Sequence, residues 1–138
     1  MDGQFYQALK SLYCDTESCV RLGDHYTDWF LCRSGVRQGD NLSPTLFALF
    51  INDLAMQLKH LSSGIQIGPN KLNVLLYADD IALIAENEGD MDAMLDVVSG
   101  WCRKWRLRIN SLKSKVVHFR KHQRKRSDHV FCIGGGMS

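Results

Sequence analysis

Leu75-Leu76-Tyr77-Ala78-Asp79-Asp80-Ile81-Ala82-Leu83-Ile84 sets two adjacent acids inside an otherwise apolar run. The flanking stretches 72–77 and 81–85 are short, apolar and rich in β-compatible residues, the pattern of strands covered on at least one face. Two residues between two strands is hairpin length, and aspartate tolerates tight-turn backbone better than most residues. Asp79 and Asp80 are therefore expected to form the turn itself, at the tip of a rigid ribbon. Two like charges about 4 Å apart at an effective dielectric of about 20 repel by about 4 kcal/mol, and partial burial adds a desolvation cost. A divalent cation reverses both terms. Hard carboxylate oxygens select Mg²⁺, with Mn²⁺ as a second fit, over Zn²⁺. For these residues alone, the alternative is an Asp-Asp turn that is merely solvated.

The totals set the frame for that ribbon. At 138 residues, 45% hydrophobic and 23% charged, the chain has the composition of a globular domain with a modest core. No apolar stretch reaches membrane-span length, and residues 1–10 lack the basic-then-apolar layout of a signal peptide. No membrane association is expected, and the expected location is intracellular, nuclear or cytoplasmic. Cys14, Cys19, Cys32, Cys102 and Cys132 are odd in number and never in a Cys-x-x-Cys pair, which argues against structural zinc and a disulfide framework.

Net charge of +2 conceals an asymmetry. Between Asp96 and Asp128 there is no acid, while Arg103, Lys104, Arg106, Arg108, Lys113, Lys115, Arg120, Lys121, Arg124, Lys125 and Arg126 all fall there. Many are interleaved with Trp101, Trp105, Leu107, Ile109, Val116, Val117 and Phe119, which predicts cations carried on folded elements. Such a face, spanning 103–126, suits a nucleic-acid phosphate backbone. The run 121–126 also fits a nuclear import signal or a solvated loop.

Elsewhere the periodicities are helical or alternating. Residues 4–13 carry Phe5, Leu9 and Leu12 at helical spacing, without a convincing cap. Residues 19–23 and 28–33 alternate as a hairpin turning at Asp24-His25. The polar loop 34–44 ends in Ser43-Pro44, a cap followed by a residue suited to the first helical position. Phe47, Phe50, Ile51, Leu54, Leu58 and Leu61 then form an amphipathic stripe that predicts a helix to about Lys59. In the loop, Gly35 and Gly39 permit close backbone approach, while Arg37 and Gln38 offer donors for phosphates or base edges. Alternatively, it is an ordinary glycine loop before a capped helix. A short strand at 65–67 and a Pro69-Asn70 turn lead into the acidic hairpin. Beyond it, Asn87 or Asp90 caps a helix whose buried stripe is Met91, Met94, Leu95, Val98, Trp101, Cys102 and Trp105. Strands are expected at 107–109 and 115–119, with Lys113 on the turn between them, either reaching toward a site or simply solvated.

Three of these stretches resemble motifs of the reverse transcriptase family, specifically the RNA-directed DNA polymerases of non-LTR, LINE-type retrotransposons. Residues 35–47, Gly-Val-Arg-Gln-Gly-Asp-Asn-Leu-Ser-Pro-Thr-Leu-Phe, resemble motif B. Tyr77-Ala78-Asp79-Asp80 resembles motif C, and Asn110-Ser111-Leu112-Lys113-Ser114 is similar to motif D. The resemblance implies an α+β fold, an antiparallel palm-type sheet backed by two or three amphipathic helices. Residues 1–119 would be a partial palm domain, and 120–138 a basic loop with the truncated end of the same domain. It implies catalytic metal ligation by Asp79 and Asp80, with Mg²⁺ as the cofactor. Arg37, Gln38, Gly39, Ser43, Pro44 and Tyr77 would line nucleotide and template, and Lys113 would approach the triphosphate as a catalytic proton donor. The implied partners are an RNA template, a DNA primer and deoxynucleoside triphosphates.

The likeness stops short of the whole catalytic set. The family's motif A, with a further metal-binding aspartate, is expected upstream of the helix at 4–13, and Asp2 lies too near that helix to be it. Fingers and thumb elements have no counterpart here. A chain with one carboxylate pair is expected to be inactive, or nearly so, alone. The competing expectation is a nucleic-acid-binding or interaction remnant that keeps the basic face without the chemistry.

Overall fold

In the computed structural model, which describes residues 3–120, 127–134 and 136–137, helices alternate with short antiparallel strand pairs. The chain divides into two compact units, Met1–Phe47 and Ala48–Ser138.

In the first unit, α1 (Gln4–Tyr13) has the expected bounds; its N-cap, Gly3, provides no side-chain bond, and none of its residues is buried. Next, β1 (Glu17–Ser18), β2 (Arg21–Leu22), β3 (His25–Tyr26) and β4 (Phe30–Leu31) fold back on themselves, β1 pairing with β4 and β2 with β3. The expected hairpin is present, but it turns at Gly23-Asp24 rather than Asp24-His25. Leu22 pairs with His25, and Gly23 takes a φ of 64°, open to glycine without steric cost.

Helix α2 (Ser43–Lys59) begins in the first unit and runs into the second. Its covered face is Ile51, Leu54, Ala55 and Leu58, with Leu54 and Leu58 fully buried. In the second unit it is followed by β5 (Ile65–Ile67), β6 (Asn70–Leu72), β7 (Val74–Tyr77), β8 (Asp80–Leu83), α3 (Glu88–Lys104), β9 (Cys132–Ile133) and β10 (Gly136–Met137). Helix α3 starts as its sequence asks. Asn87 Oδ1 accepts the Asp90 N–H at 2.9 Å, with Glu88 and Asp90 in the first turn and Arg103 and Lys104 in the last.

The core of this unit is built from α2 and α3. Met94, Leu95, Val98, Trp101 and Cys102 are buried, and the Trp101 ring lies 4.9 Å from that of Phe50. Trp101 meets its polar obligation by donating from Nε1 to Asp53 Oδ2 at 3.1 Å. Trp105 was expected in the same stripe but is 43% exposed, because α3 ends one residue before it and Arg106, at φ 57°, turns the chain away.

Between α2 and β7 sits a buried amide. Asn73 Nδ2 donates to the Leu58 carbonyl at 2.7 Å, and the Asn73 carbonyl accepts the Ile84 N–H at 2.8 Å. Gly64 lies against it so closely that a Cβ there would stand 2.7 Å from Asn73 Cβ and 2.6 Å from the Leu72 carbonyl oxygen. The β7–β8 hairpin is thereby pinned at its base to the end of α2.

Two expectations fail here. The strands predicted at 107–109 and 115–119 do not form; residues 107–120 are irregular, and Phe119 is 90% exposed. Alternating side chains make a strand only where a neighbour accepts its backbone hydrogen bonds, and no described segment pairs with these residues. The turn between them does form, with the Lys113 and Ser114 N–H groups donating to the Asn110 carbonyl. The fold is α+β with antiparallel pairing, as expected, but the described strands form five separate two-stranded ladders. The run 121–126, expected to extend the basic face, lies outside the described residues.

Leu54→Ala should cost about 2–5 kcal/mol in urea unfolding through the cavity it leaves. Asn73→Ala should cost about 0.5–1.5 kcal/mol by removing one of the two hydrogen bonds the Leu58 carbonyl accepts, that from the Leu61 N–H remaining, and Leu112→Ala, at an 87% exposed position, no more than about 0.5 kcal/mol.

Candidate functional site

The tip of the β7–β8 hairpin carries the acidic pair. The register is Val74↔Leu83, Leu75↔Ala82, Leu76↔Ile81 and Tyr77↔Asp80. The two-residue turn is therefore Ala78-Asp79, not Asp79-Asp80, and Asp80 opens β8. This register pairs branched residues with branched residues on the half-covered face, and the Asn73–Ile84 bond closes it from below. The opposite face, Leu75, Tyr77, Asp80 and Ala82, is exposed, Tyr77 at 83%.

Ala78 holds a φ of 49°, a left-handed conformation that hairpin turns of this length usually give to glycine. The strain sits directly beside Asp79. Both carboxylates are exposed, and neither has a cation or hydrogen-bond donor as partner among the described residues. Two adjacent anions held on a pinned ribbon without compensation are a hard-oxygen donor set, suited to a divalent cation. They are also an incomplete one, since no group of three or more His, Cys, Asp or Glu among the described residues could enclose a metal.

The loop before α2 is tied rather than free. The Ser43 hydroxyl, 8% exposed, donates to the Arg37 carbonyl at 2.6 Å, and its N–H donates to the Asp40 carbonyl at 3.2 Å. Asp40 Oδ1 accepts the Leu42 N–H at 3.0 Å, and Oδ2 accepts the Tyr13 hydroxyl at 2.6 Å. The Leu42 N–H and then the Tyr13 hydroxyl hold the Asp40 carboxyl below its ordinary value, and Asp40 in turn raises the Tyr13 phenol above its own. Arg37 is bound as well. Its Nε and Nη2 donate to Thr16 Oγ1 at 3.3 and 3.1 Å, and its guanidinium lies 5.8 Å from the Tyr13 ring centroid. Gln38 and Gly39, the latter at φ 83°, stand exposed at the apex.

The residues singled out from sequence thus fall into three groups. Arg37, Gln38 and Gly39, in the loop, and Ser43 and Pro44, at the start of α2, lie together in the first unit; Tyr77, Asp79 and Asp80 share one hairpin tip of the second; Lys113 stands exposed on a separate turn of the second. Sequence reasoning passed over Tyr13, Thr16, Asp40 and Asn73. Only Asn73 carried a local signal, as a lone amide among the apolar residues of a predicted strand.

Residues 3–133 match the family described as reverse transcriptase (RNA-dependent DNA polymerase), and the chain belongs to that family. It is 32% identical over 117 residues to the probable RNA-directed DNA polymerase from transposon BS of Drosophila melanogaster, covering 80% of this chain and 12% of that protein. It is 33% identical over 102 residues to the retrovirus-related Pol polyprotein from type-1 retrotransposable element R2 of Popillia japonica, covering 72% of this chain and 14% of that one. With the RNA-directed DNA polymerase from mobile element jockey of Drosophila funebris, identity is 29% over 122 residues, covering 84% and 13%. The chain is a stretch of reverse transcriptase domain of the non-LTR retrotransposon kind, spanning about an eighth of the length of these relatives.

Ala78→Gly should be neutral or stabilising by up to about 1 kcal/mol, whereas Ala78→Val, with a β-branched side chain at positive φ, should destabilise by more than about 1 kcal/mol. Thermal melts of both variants check the sign.

Proposed function

We propose that this chain is a portion of the palm of an RNA-directed DNA polymerase that presents one carboxylate pair of a two-metal nucleotidyl-transfer centre. The observation that carries this is the uncompensated Asp79–Asp80 pair on a hairpin anchored by Asn73. Asp79 and Asp80 would hold divalent metal, Mg²⁺ by preference, through their carboxylate oxygens. When bound there, the metal supplies activation of the primer 3′-hydroxyl and stabilisation of the leaving oxygen. Tyr77, beside Asp80 on the exposed face, would support the primer or nucleotide. Gln38, Gly39, Ser43 and Pro44 would shape the surface met by template and incoming nucleotide, and Arg37 would hold that loop. Lys113, on its own turn, would donate a proton to the departing pyrophosphate.

A pair of carboxylates is too few to seat two cations in working geometry, so the chain by itself should not extend a primer. RNA template, DNA primer and deoxynucleoside triphosphates are the partners of the assembled enzyme in this proposal. A second reading, nucleic-acid binding without chemistry, is favoured by one observation: Arg103, Lys104, Arg106, Arg108, Lys113, Lys115 and Arg120 are all exposed along one acid-free stretch. Among the described residues no helix is long and apolar enough to cross a membrane.

Mn²⁺ or Mg²⁺ at about ten times its dissociation constant should stabilise the chain by about 1.4 kcal/mol, and Asp79→Asn/Asp80→Asn should melt higher without metal and lose the metal-dependent shift. Primer extension on an RNA template should be at background. Extension abolished by Asp79→Ala would overturn the expected inactivity, and a melting point indifferent to metal would remove the metal assignment.

A further inference from the structure

The loop that the proposed function places against nucleic acid is held from outside by two side chains at and just beyond the end of α1. Tyr13 fixes one side of it by donating its hydroxyl to Asp40, and Thr16 fixes the other by accepting from the Arg37 guanidinium. Inside, the bonds from Ser43 to the Arg37 and Asp40 carbonyls and from Leu42 to the Asp40 carboxylate close the chain around residues 38–41. Gln38 and Gly39 are left projecting at the apex, with Gly39 in a backbone conformation that L side chains rarely adopt. Tyr13 does two things at once: its hydroxyl holds Asp40, and its ring lies under the Arg37 guanidinium.

We propose that Tyr13 is a positioning residue for nucleic-acid recognition, holding Asp40 and Arg37 so that Gln38 and the Gly39 backbone are presented in one conformation. This rests on the preceding proposal that the loop meets template and nucleotide. Tyr13 touches no ligand itself; it acts by reducing the conformations that the loop must lose on binding. Arg37 belongs to the same device. Its cation is already engaged by Thr16 and the Tyr13 ring, so its role is to hold the loop's first turn rather than to contact phosphate. The Asp40 carboxylate keeps its bonds from above its ordinary value of 3.8 down to its lowered one, and the Tyr13 phenol keeps its proton from below its ordinary value of 10.0 up to its raised one. The clamp is therefore closed throughout the neutral range and opens only outside those limits.

The test uses the full chain and a short RNA–DNA hybrid of fixed sequence as the probe. Tyr13→Phe keeps the ring and removes only the hydroxyl, and Tyr6→Phe, on the exposed face of α1, serves as control. Tyr13→Phe should weaken hybrid binding by between about twofold and tenfold while the chain still melts cooperatively, and Tyr6→Phe should leave both unchanged. Ultraviolet titration should show a late-ionising phenol that vanishes in Tyr13→Phe and moves down toward its ordinary value in Asp40→Asn, which establishes the clamp, while the binding loss, which a merely structural tyrosine would not produce, establishes its role in recognition. Equal binding by the parent chain and Tyr13→Phe would overturn the positioning role alone. A parent chain that shows the late phenol yet binds no hybrid would overturn the recognition function of the loop, and the positioning role with it.

Discussion

A single buried amide holds the candidate metal-binding hairpin in place. Asn73 is 6% exposed, and its side chain satisfies the Leu58 carbonyl at the end of α2 while its backbone receives Ile84 at the base of the β7–β8 ribbon. A two-stranded ribbon is marginal by itself in water and needs a further surface to lean on. Here the anchor is polar and directional, so it fixes position as well as stability, and Gly64 lies so close that any larger residue there would collide with Asn73 and the Leu72 carbonyl. The consequence is carried outward along four residue pairs to a turn where Asp79 and Asp80 stand without counter-charge.

That arrangement departs from local optimality. The chain puts an alanine where a glycine would be easier, and two like charges where one would be cheaper, at the same turn. Neither feature helps the isolated hairpin. Both fit the proposed role of the tip as a partial metal-binding set. The loop before α2 shows the opposite economy, since its serine, aspartate and arginine are all engaged in hydrogen bonds while Gln38, Gly39 and Asn41 stand exposed.

Much of this was legible from residue order. The bounds of α1 and the end of α2 followed from apolar spacing, and Asn87 was one of two caps named for α3, because capping and amphipathicity are local and leave local traces; Ser43, expected to cap α2, is instead its first residue and gives its hydroxyl to the Arg37 carbonyl. The strands at 107–109 and 115–119 failed for the converse reason: a strand is a relation between two segments, and alternation in one cannot guarantee the other. Turn placement slipped by one residue at Gly23-Asp24 and again at Ala78-Asp79, because register is settled by which side chains pair across the ladder.

By itself the sequence determined the family, through three motifs in order, and with it the residues worth examining: Asp79, Asp80, the 35–44 loop and Lys113. Only the tertiary structure decided how those residues are held. Tyr13 and Asp40 are 27 positions apart, and Asn73 and Leu58 are 15 apart, too far for any periodicity to link them. Their bonds exist because folding brings a donor to an acceptor across a loop. A hydrogen bond between distant residues leaves no pattern in either stretch alone, whereas a helix or a motif is written in consecutive residues.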